Sequence, residues 1–358
     1  MRKKNYVEGD DEKTMESRKI QVSAGGSFFI VLPKEWSKSI GLRKGERVDV
    51  FLEEDGSVRI VPAEITRERV KTATLHVDEK VTPKALDLFI KANYMAGCSI
   101  INIESKERLN SELKKAVKAS VAELIGVETA EETSDRLSLR AIVDPTGFPL
   151  QNLIKRVYSL STSMFVDARK ALSGGDAELA DDVIDRAKEA MKLYRLMVRQ
   201  LMLAHADRTT AKNLGIENST ECIILAVMAR DVSRLIYHIS SMAKYVKGVL
   251  ETGFQFNGKL ADLMSKIFDL TQKMIEDAFR AFMERDVELA NEVMGNMNRI
   301  RELDEIITTE IFETVKDVRE AIRLTSILRE VRRVAGYTVA VADDTVFNET
   351  IRFSSRPA

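Results

Sequence analysis

Cysteine, histidine and long apolar runs are scarce in this sequence, and each shortage excludes a class of protein. The two cysteines, Cys98 and Cys222, form no Cys-x-x-Cys pair, which argues against a disulfide framework or a cysteine-based zinc site. They indicate a reducing, cytoplasmic compartment. Three histidines are too few for a histidine-rich metal centre. The sequence contains no run of about 18 apolar residues, so no membrane span is predicted, and no secretory signal is visible.

The charge of the chain is unevenly distributed. The 358 residues are 44% hydrophobic and 31% charged, which is typical of a soluble protein of two or three domains, and the net charge is −1. The segment between Ser17 and Val48 contains seven basic and two acidic residues, so its net charge is +5 and that of the remainder is −6. A compact basic segment favours binding to a polyanion, although a solvated lysine-rich surface is the alternative.

Four regions with different sequence patterns are predicted. Residues 1–16 are polar and expected to be disordered, and residues 17–64 alternate short strands with turns. In the stretch Ser27–Trp36, "SFFIVLPKEW", the pattern predicts a buried strand that ends at Pro33, where a short helix begins. Residues 66–145 predict a small α/β domain with two helices on one sheet face. Within it, Thr82 and Asn110 are expected to cap helices, and Gly97 to end one.

Residues 148–347 predict an all-α region of six helices, with apolar residues at three- and four-residue steps. An internal repeat lies within it. "DAELADDV" (176–183) matches "DVELANEV" (286–293) at an offset of 110, and "SRLIYH" (233–238) lies in register with "RRVAGY" (332–337) at an offset of 99. The helices therefore indicate two three-helix repeats.

The segment from Arg18 to Pro62 resembles the AbrB/SpoVT-type swapped-hairpin DNA-binding domain. Its matching elements are Pro33-Lys34-Glu35, Gly41-Leu42, Lys44-Gly45-Glu46 and Pro62, in that order. The resemblance implies an all-β swapped hairpin shared between two chains, and hence a homodimer or higher homo-oligomer with DNA as partner.

The helical region resembles PhoU, a double three-helix bundle. The order of the regions is similar to that of archaeal phosphate-uptake regulators, in which an AbrB-like domain precedes a PhoU-like one. PhoU proteins bind metal clusters through paired Glu/Asp-x-x-x-Asp motifs. In that family, one of these motifs has the sequence "ERIGDHA", and the corresponding segments of this chain are "SRLIYHI" and "RRVAGYT". Here Ser233 and Tyr237 replace the two acids in the first copy, and Arg332 and Gly336 replace them in the second. We therefore expect no PhoU-like metal cluster and no cofactor.

The resemblance places a partner motif on the second helix of each repeat, near Ala187 and Met191 in the first copy and near Met297 and Arg301 in the second. In the second copy, arginines therefore stand at two positions where PhoU proteins have ligands. Arg301 and Arg332 form a candidate anion site if they face each other, because their repulsion then requires an anion or nearby acids such as Glu302 or Glu330. A structural ion pair or a solvated surface is the alternative. Asp181 and Asp185 have the D-x-x-x-D spacing, but such pairs are common on charged helices.

These observations predict a DNA-binding transcriptional regulator of phosphate uptake rather than an enzyme, since no nucleophile–histidine–acid set or phosphate-binding loop is present. The alternative is a homodimeric, PhoU-like adaptor that does not bind DNA and docks a phosphate transporter or signalling protein. Two sets of candidate residues follow. The DNA contacts are expected to be Arg18, Lys19, Lys34, Lys38, Arg43 and Lys44. The dimer core is expected to contain Phe28, Phe29, Ile30 and Trp36.

Overall fold

The computed structural model describes residues 17–52, 56–62, 71–216, 219–256 and 258–354. The chain forms two units, Met1–Arg69 and Val70–Ala358. The predicted tail, residues 1–16, lies outside the described residues, as do residues 53–55, which were expected to begin a tight turn at Asp55-Gly56.

The first unit consists of two small hairpins around one short helix. Strands β1 (Gln21–Val22) and β2 (Phe28–Phe29) pair antiparallel. Helix α1 (Lys34–Ser39) follows Pro33, as predicted. Strands β3 (Val48–Leu52) and β4 (Val58–Pro62) form the second antiparallel pair. The strand expected through Val31 is shorter than predicted, because only Phe28 and Phe29 have partners within one chain.

The second unit begins with a four-stranded mixed sheet. Its elements are β5 (Thr72–Val77), α2 (Pro83–Met95), β6 (Ile100–Ser105), α3 (Ser111–Ala122), β7 (Val127–Glu132) and β8 (Arg136–Ala141). The strand order is β5-β6-β8-β7, with β5 parallel to β6 and the other pairs antiparallel. Strand β7 was not predicted. Its sequence "VETAEE" exposes every residue after Val127 and so carries no apolar alternation.

The two helices of this region pack on one face of the sheet, as predicted. Leu86 and Ile90 of α2 and Val117 of α3 join a core with Ile101 and Leu139, which are paired neighbours on β6 and β8. Both expected caps are present: the Thr82 side chain accepts from the Ala85 N–H (3.2 Å) and that of Asn110 from the Leu113 N–H (2.8 Å). Gly97 follows α2 with φ 88°, a left-handed conformation that favours glycine.

The remainder of the described chain is helical. Its helices are α4 (Leu150–Gly174), α5 (Ala177–Ala206), α6 (Arg208–Asn213), α7 (Ser219–Leu250), α8 (Gly258–Glu284), α9 (Val287–Gly295), α10 (Met297–Thr314) and α11 (Val318–Ser354). The six predicted helices are thus recognisable, with two differences. The short α6 lies in the connection before α7, and the predicted fifth helix is divided between α9 and α10 at Asn296.

The sequence repeat at an offset of 110 corresponds to a repeated turn. Asp176 accepts from the Leu179 N–H and Asp286 from the Leu289 N–H, each at 2.9 Å. The residues before these caps, Gly175 and Arg285, both have positive φ, 73° and 61°. Equivalent positions therefore have the same backbone conformation, which supports a true structural repeat over a chance similarity between amphipathic helices.

A buried arginine joins the sheet region to the helices. Arg199 of α5 is 4% exposed and donates to the carbonyl oxygens of Tyr94 (2.8 Å) and Cys98 (2.7 Å) at the end of α2. Its guanidinium lies over the Tyr94 ring, 4.9 Å from the centroid. Burial lowers the pKa of Arg199 and raises that of Tyr94 to about 12. The cation at this contact helps to fix the sheet region against α5.

Within the described part of the chain, none of the helices combines the length and apolar character needed to cross a membrane.

Candidate nucleic-acid interface

The first unit exposes all six cations that the sequence analysis assigned to DNA. Arg18 and Lys19 precede β1, Lys34 and Lys38 lie one turn apart on α1, and Arg43 and Lys44 lie in the turn that leads to β3. Lys38 forms an ion pair with Glu35 at 3.5 Å, and both side chains are largely exposed. Such a pair contributes little free energy and yields readily to a phosphate. The assignment of these residues to DNA stays a prediction.

Two glycine-containing turns position the basic residues after α1. The helix ends at Ser39, and Gly41 takes φ 70°, so that the Leu42 N–H returns to the Ser37 carbonyl oxygen at 2.9 Å. The Glu46 carboxylate accepts from the Arg43 N–H at 2.8 Å, and Gly45 has φ 91°. This turn fixes the backbone at Arg43 and Lys44 while their side chains remain exposed.

The apolar side chains expected in a dimer core are uncovered in a single chain. Phe28 is 76%, Phe29 47% and Ile30 49% exposed, and Trp36 is half-buried. Leu52 on the second hairpin is 81% exposed. Among residues 17–52 and 56–62, Pro62 alone is buried. The expectation that "FFIVL" is a buried strand is therefore not met within one chain, and its burial requires further protein surface.

Among the described residues of this unit, one basic residue lies outside the segment Ser17–Val48 whose charge was counted. Arg59 of β4 pairs across the hairpin with Phe51, and its guanidinium lies 4.9 Å from the centre of the Phe51 ring. A cation above an aromatic ring is held in a fixed position. The opposition of Arg59 and Phe51 depends on the register of the hairpin, which the sequence pattern alone does not give.

In the helical region, the positions of the expected metal motifs hold no acid pair. Ser233 is buried and donates to the Arg230 carbonyl oxygen at 2.6 Å, whereas Tyr237 is 57% exposed. The D-x-x-x-D residues have separate partners, since Lys247 donates to Asp181 (2.6 Å) and Lys188 to Asp185 (2.7 Å). Across the described ranges, no group of three or more His, Cys, Asp or Glu residues is placed to hold a metal ion.

The candidate anion site has a different arrangement from the one expected. Arg332 donates to the Asp304 carboxylate at 2.8 Å, and Arg301 donates to the side-chain oxygen of Asn298 at 2.7 Å. The relieving acid is thus Asp304 rather than Glu302 or Glu330. These contacts favour the ion-pair alternative at Arg332, since an acid already occupies the place that an anion would take.

Two buried acids lie between α7 and α11; the sequence analysis named Glu330 only as an acid near Arg332 and did not consider Asp344. Glu330 of α11 contacts the Nδ1 atom of His238 on α7 at 2.6 Å. Asp344 is 7% exposed, and its Oδ2 atom has no hydrogen-bond partner among the described residues. Burial, followed by the nearby charges of Asp231 and Asp343, raises the pKa of Asp344 to about 7. Burial also raises the pKa of Asp231.

Comparisons with known proteins agree with this division of the chain. The family model described as "PhoU domain" matches residues 154–246 and 264–345, one match for each repeat. The helical region therefore carries two matches to the PhoU domain model. The model described as "Antidote-toxin recognition MazE, bacterial antitoxin" matches residues 21–67, so the first unit carries a MazE/AbrB-like domain. Both are regulatory rather than catalytic families. A search of curated proteins gives no significant match.

Solved PhoU structures resemble the helical part of the chain. PhoU from Pseudomonas aeruginosa has 18% sequence identity and a TM-score of 0.50, with 55% of this chain and 94% of that chain covered. The phosphate transport system regulatory protein PhoU from Streptococcus pneumoniae has 18% identity and a TM-score of 0.48, with coverages of 56% and 93%. At this identity the first likeness shows a shared fold. The PhoU-like fold of the C-terminal region, expected from the sequence, is thereby confirmed.

Proposed function

We propose that the chain is a homodimeric DNA-binding regulator of phosphate uptake, located in the cytoplasm. In this proposal the first unit binds operator DNA, and the PhoU domains respond to a signal or to a phosphate transporter or signalling protein. The observation that carries the proposal is the combination, in a MazE/AbrB-like unit, of exposed cations with an uncovered apolar surface.

The uncovered apolar surface supports dimerisation. A unit of this size must bury apolar side chains to fold, and a single chain leaves Phe28, Val31 and Leu52 each more than half exposed. Apolar surface of this extent in so small a unit is typical of an interface between subunits. A second copy offers the same apolar residues and the same unpaired strand edges, which is the self-complementarity that a two-fold dimer needs.

The cations support binding to DNA rather than dimerisation alone. The six candidate residues are exposed, and a dimer presents each of them twice. Lys34 and Lys38 share one face of α1 because they are four residues apart. Phosphate neutralisation by such residues makes affinity depend steeply on salt, with a slope of about 0.9 for each contact.

The regulatory pathway is proposed from the PhoU domains. The Streptococcus pneumoniae structure is named as a phosphate transport system regulatory protein. The residues of this chain do not carry the acid pairs that PhoU proteins use for metal, so we propose a shared pathway and partner class without a shared metal centre.

Charge reversal on α1 tests the proposal. Lys34→Glu with Lys38→Glu should weaken the binding of duplex genomic fragments in fluorescence anisotropy, while circular dichroism and sedimentation remain those of the wild-type chain. Lys80→Glu with Lys84→Glu, in the sheet region, is the matched control and should bind like wild type. A chain that dimerises but shows no salt-dependent DNA binding would instead support the adaptor alternative.

A further inference from the structure

The outward faces of α7 and α11 carry arginines that have no part in the DNA-binding unit proposed at the N-terminus. The offset of 99 residues relates Arg230 to Arg329 and Arg234 to Arg333, so each arginine on α7 has an equivalent on α11. All four are exposed. The helices belong to different PhoU domains, and the arginines therefore recur at equivalent positions of the repeat.

The two helices pack antiparallel around a local two-fold axis. His238 stacks on its own equivalent, Tyr337, with ring centroids 5.4 Å apart and an interplanar angle of 19°. Away from this contact, Arg329 reaches the Tyr245 hydroxyl at 3.2 Å, and Arg323 lies beside Gly248. Residue numbers thus rise along α7 as they fall along α11. The two-fold axis passes between the rings of His238 and Tyr337.

This symmetry places the four arginines on one surface. A two-fold axis between antiparallel neighbouring helices is perpendicular to the plane that contains both, so equivalent side chains emerge on the same side. With a rise of 1.5 Å per residue, Arg234 and Arg333 lie about 6 Å from the axis along their helices, in opposite directions. Arg230 and Arg329 lie about 12 Å from it. The arginines form a diagonal row that spans about 24 Å along the helices.

The row has few acidic partners. Arg230, Arg234 and Arg333 form no ion pair with any residue in the described ranges. Arg329 lies over the Tyr245 ring at 5.8 Å, and its nearest acid, Glu330 at 3.5 Å, also binds His238. Asp231, which interacts electrostatically with Arg230, is half-buried, and Asp343 is exposed, whereas Lys244 adds another exposed cation. The surface is basic although the chain outside residues 17–48 has a net charge of −6.

We propose that this α7/α11 arginine row is a second DNA contact, which binds the phosphate backbone of a duplex without reading its sequence. Arginine matches phosphate geometry through paired N–H donors. The two antiparallel strands of DNA are also related by two-fold axes, so a two-fold row of cations meets equivalent phosphates on both strands. The inference extends the proposed function, from which it takes the identity of the polyanion.

A neutral substitution of the whole row tests the inference on the full chain. The variant carries Arg230→Gln, Arg234→Gln, Arg329→Gln and Arg333→Gln, and the probe is a dye-labelled 30-base-pair duplex of arbitrary sequence. The slope of log Kd against log salt concentration should fall in magnitude by about 0.9 for each phosphate that is no longer neutralised, or about 3–4 per chain. Because these side chains are exposed, thermal stability should remain close to that of wild type.

A charge-matched control separates this surface from a general loss of positive charge. It carries Lys155→Gln, Arg156→Gln, Lys266→Gln and Arg299→Gln, four exposed cations on α4, α8 and α10. Its salt slope should equal that of the wild type. If the row variant and the control have the same slope, the inference is wrong and the proposed function is unaffected; the row then suits an acidic protein partner.

The Lys34→Glu/Lys38→Glu variant distinguishes failure of the inference from failure of the proposed function. If this variant keeps wild-type affinity while the row variant loses it, the arginine row is the DNA contact and the assignment to α1 is wrong. If the wild-type chain shows no binding to the duplex at low salt, both proposals are overturned.

Discussion

Replacement of Asp344 by asparagine should stabilise the protein by an amount that increases as the pH rises from about 4 to about 7 and stays level above. Asp344 lies between α7 and α11 with one unpartnered carboxylate oxygen, and its pKa is raised from 3.8 to about 7 by burial and then by Asp231 and Asp343. In the pH range between these two values, the folded protein retains a proton that the unfolded chain releases. Stability should therefore fall as the pH rises from about 4 to about 7 and stay level above.

The size of the effect follows from the pKa shift. Each pKa unit corresponds to 1.36 kcal/mol, so a shift of about three units sets an upper limit of about 4 kcal/mol on the cost of the charged form. Water that reaches the charged carboxylate reduces this cost, and we expect Asp344→Asn to gain about 2 kcal/mol at pH 8. Asparagine keeps the size of the side chain and carries no charge.

The assay is urea unfolding followed by far-UV circular dichroism at pH 4, 5, 6, 7 and 8. The difference in unfolding free energy between Asp344→Asn and the wild type removes the contributions of all other titrating groups. Asp343→Asn, an exposed neighbour with the same charge, should differ from wild type by less than about 0.5 kcal/mol at every pH. A constant difference across the pH series, or a loss of stability at pH 8, would refute the reasoning.

Three further predictions concern packing, capping and assembly. Arg199→Met should lower the free energy of unfolding by about 2–4 kcal/mol, because it removes two buried charge-assisted hydrogen bonds. Urea unfolding measures this change, and a loss below about 0.5 kcal/mol would contradict the role of Arg199 in fixing the sheet region. Asp176→Ala and Asp286→Ala should each lower the free energy of unfolding by about 1 kcal/mol, and by equal amounts because the two caps are equivalent. Asp182→Ala, which lies away from the caps, is the control in the same unfolding measurement. Phe28→Asp should dissociate the dimer, as measured by sedimentation velocity, because it places a charge in the proposed interface. An unchanged sedimentation coefficient would show that Phe28 does not lie in that interface.

Local signals in the sequence predicted much of the second unit. The Thr82 and Asn110 caps, the turn at Gly97 and the repeat at an offset of 110 each depend on a few neighbouring residues, and the structure confirms them. Strand β7 was missed because its position at the edge of the sheet leaves its acidic residues in solvent. The short α6 and the division at Asn296 were missed because apolar periodicity continues across both.

The side-chain partners in the helical region could not be predicted in the same way. Arg332 pairs with Asp304, which lies 28 positions earlier on another helix, and Glu330 binds His238, 92 positions away. Such pairs depend on how helices pack, which periodicity does not specify. The offset of 99 residues did contain a signal for the arginine row, since Arg234 and Arg333 occupy equivalent positions in the quoted segments.

The burial of "SFFIVL" shows where reasoning from one chain ends. The apolar run was expected in a core, yet Phe28 is 76% exposed in a single chain. In the proposed dimer a second chain covers this run, and the cations of α1 are directed at DNA. Dimerisation and DNA binding can be tested together.

Sedimentation velocity of a dye-labelled operator-length duplex, recorded at the dye wavelength with increasing amounts of the full chain, is the most direct test. At low salt the DNA should sediment as a complex with two chains or a multiple of two, and it should return to the free position at high salt. A complex with a single chain would contradict the dimer, and DNA that sediments as free duplex at every protein concentration would contradict the proposed function.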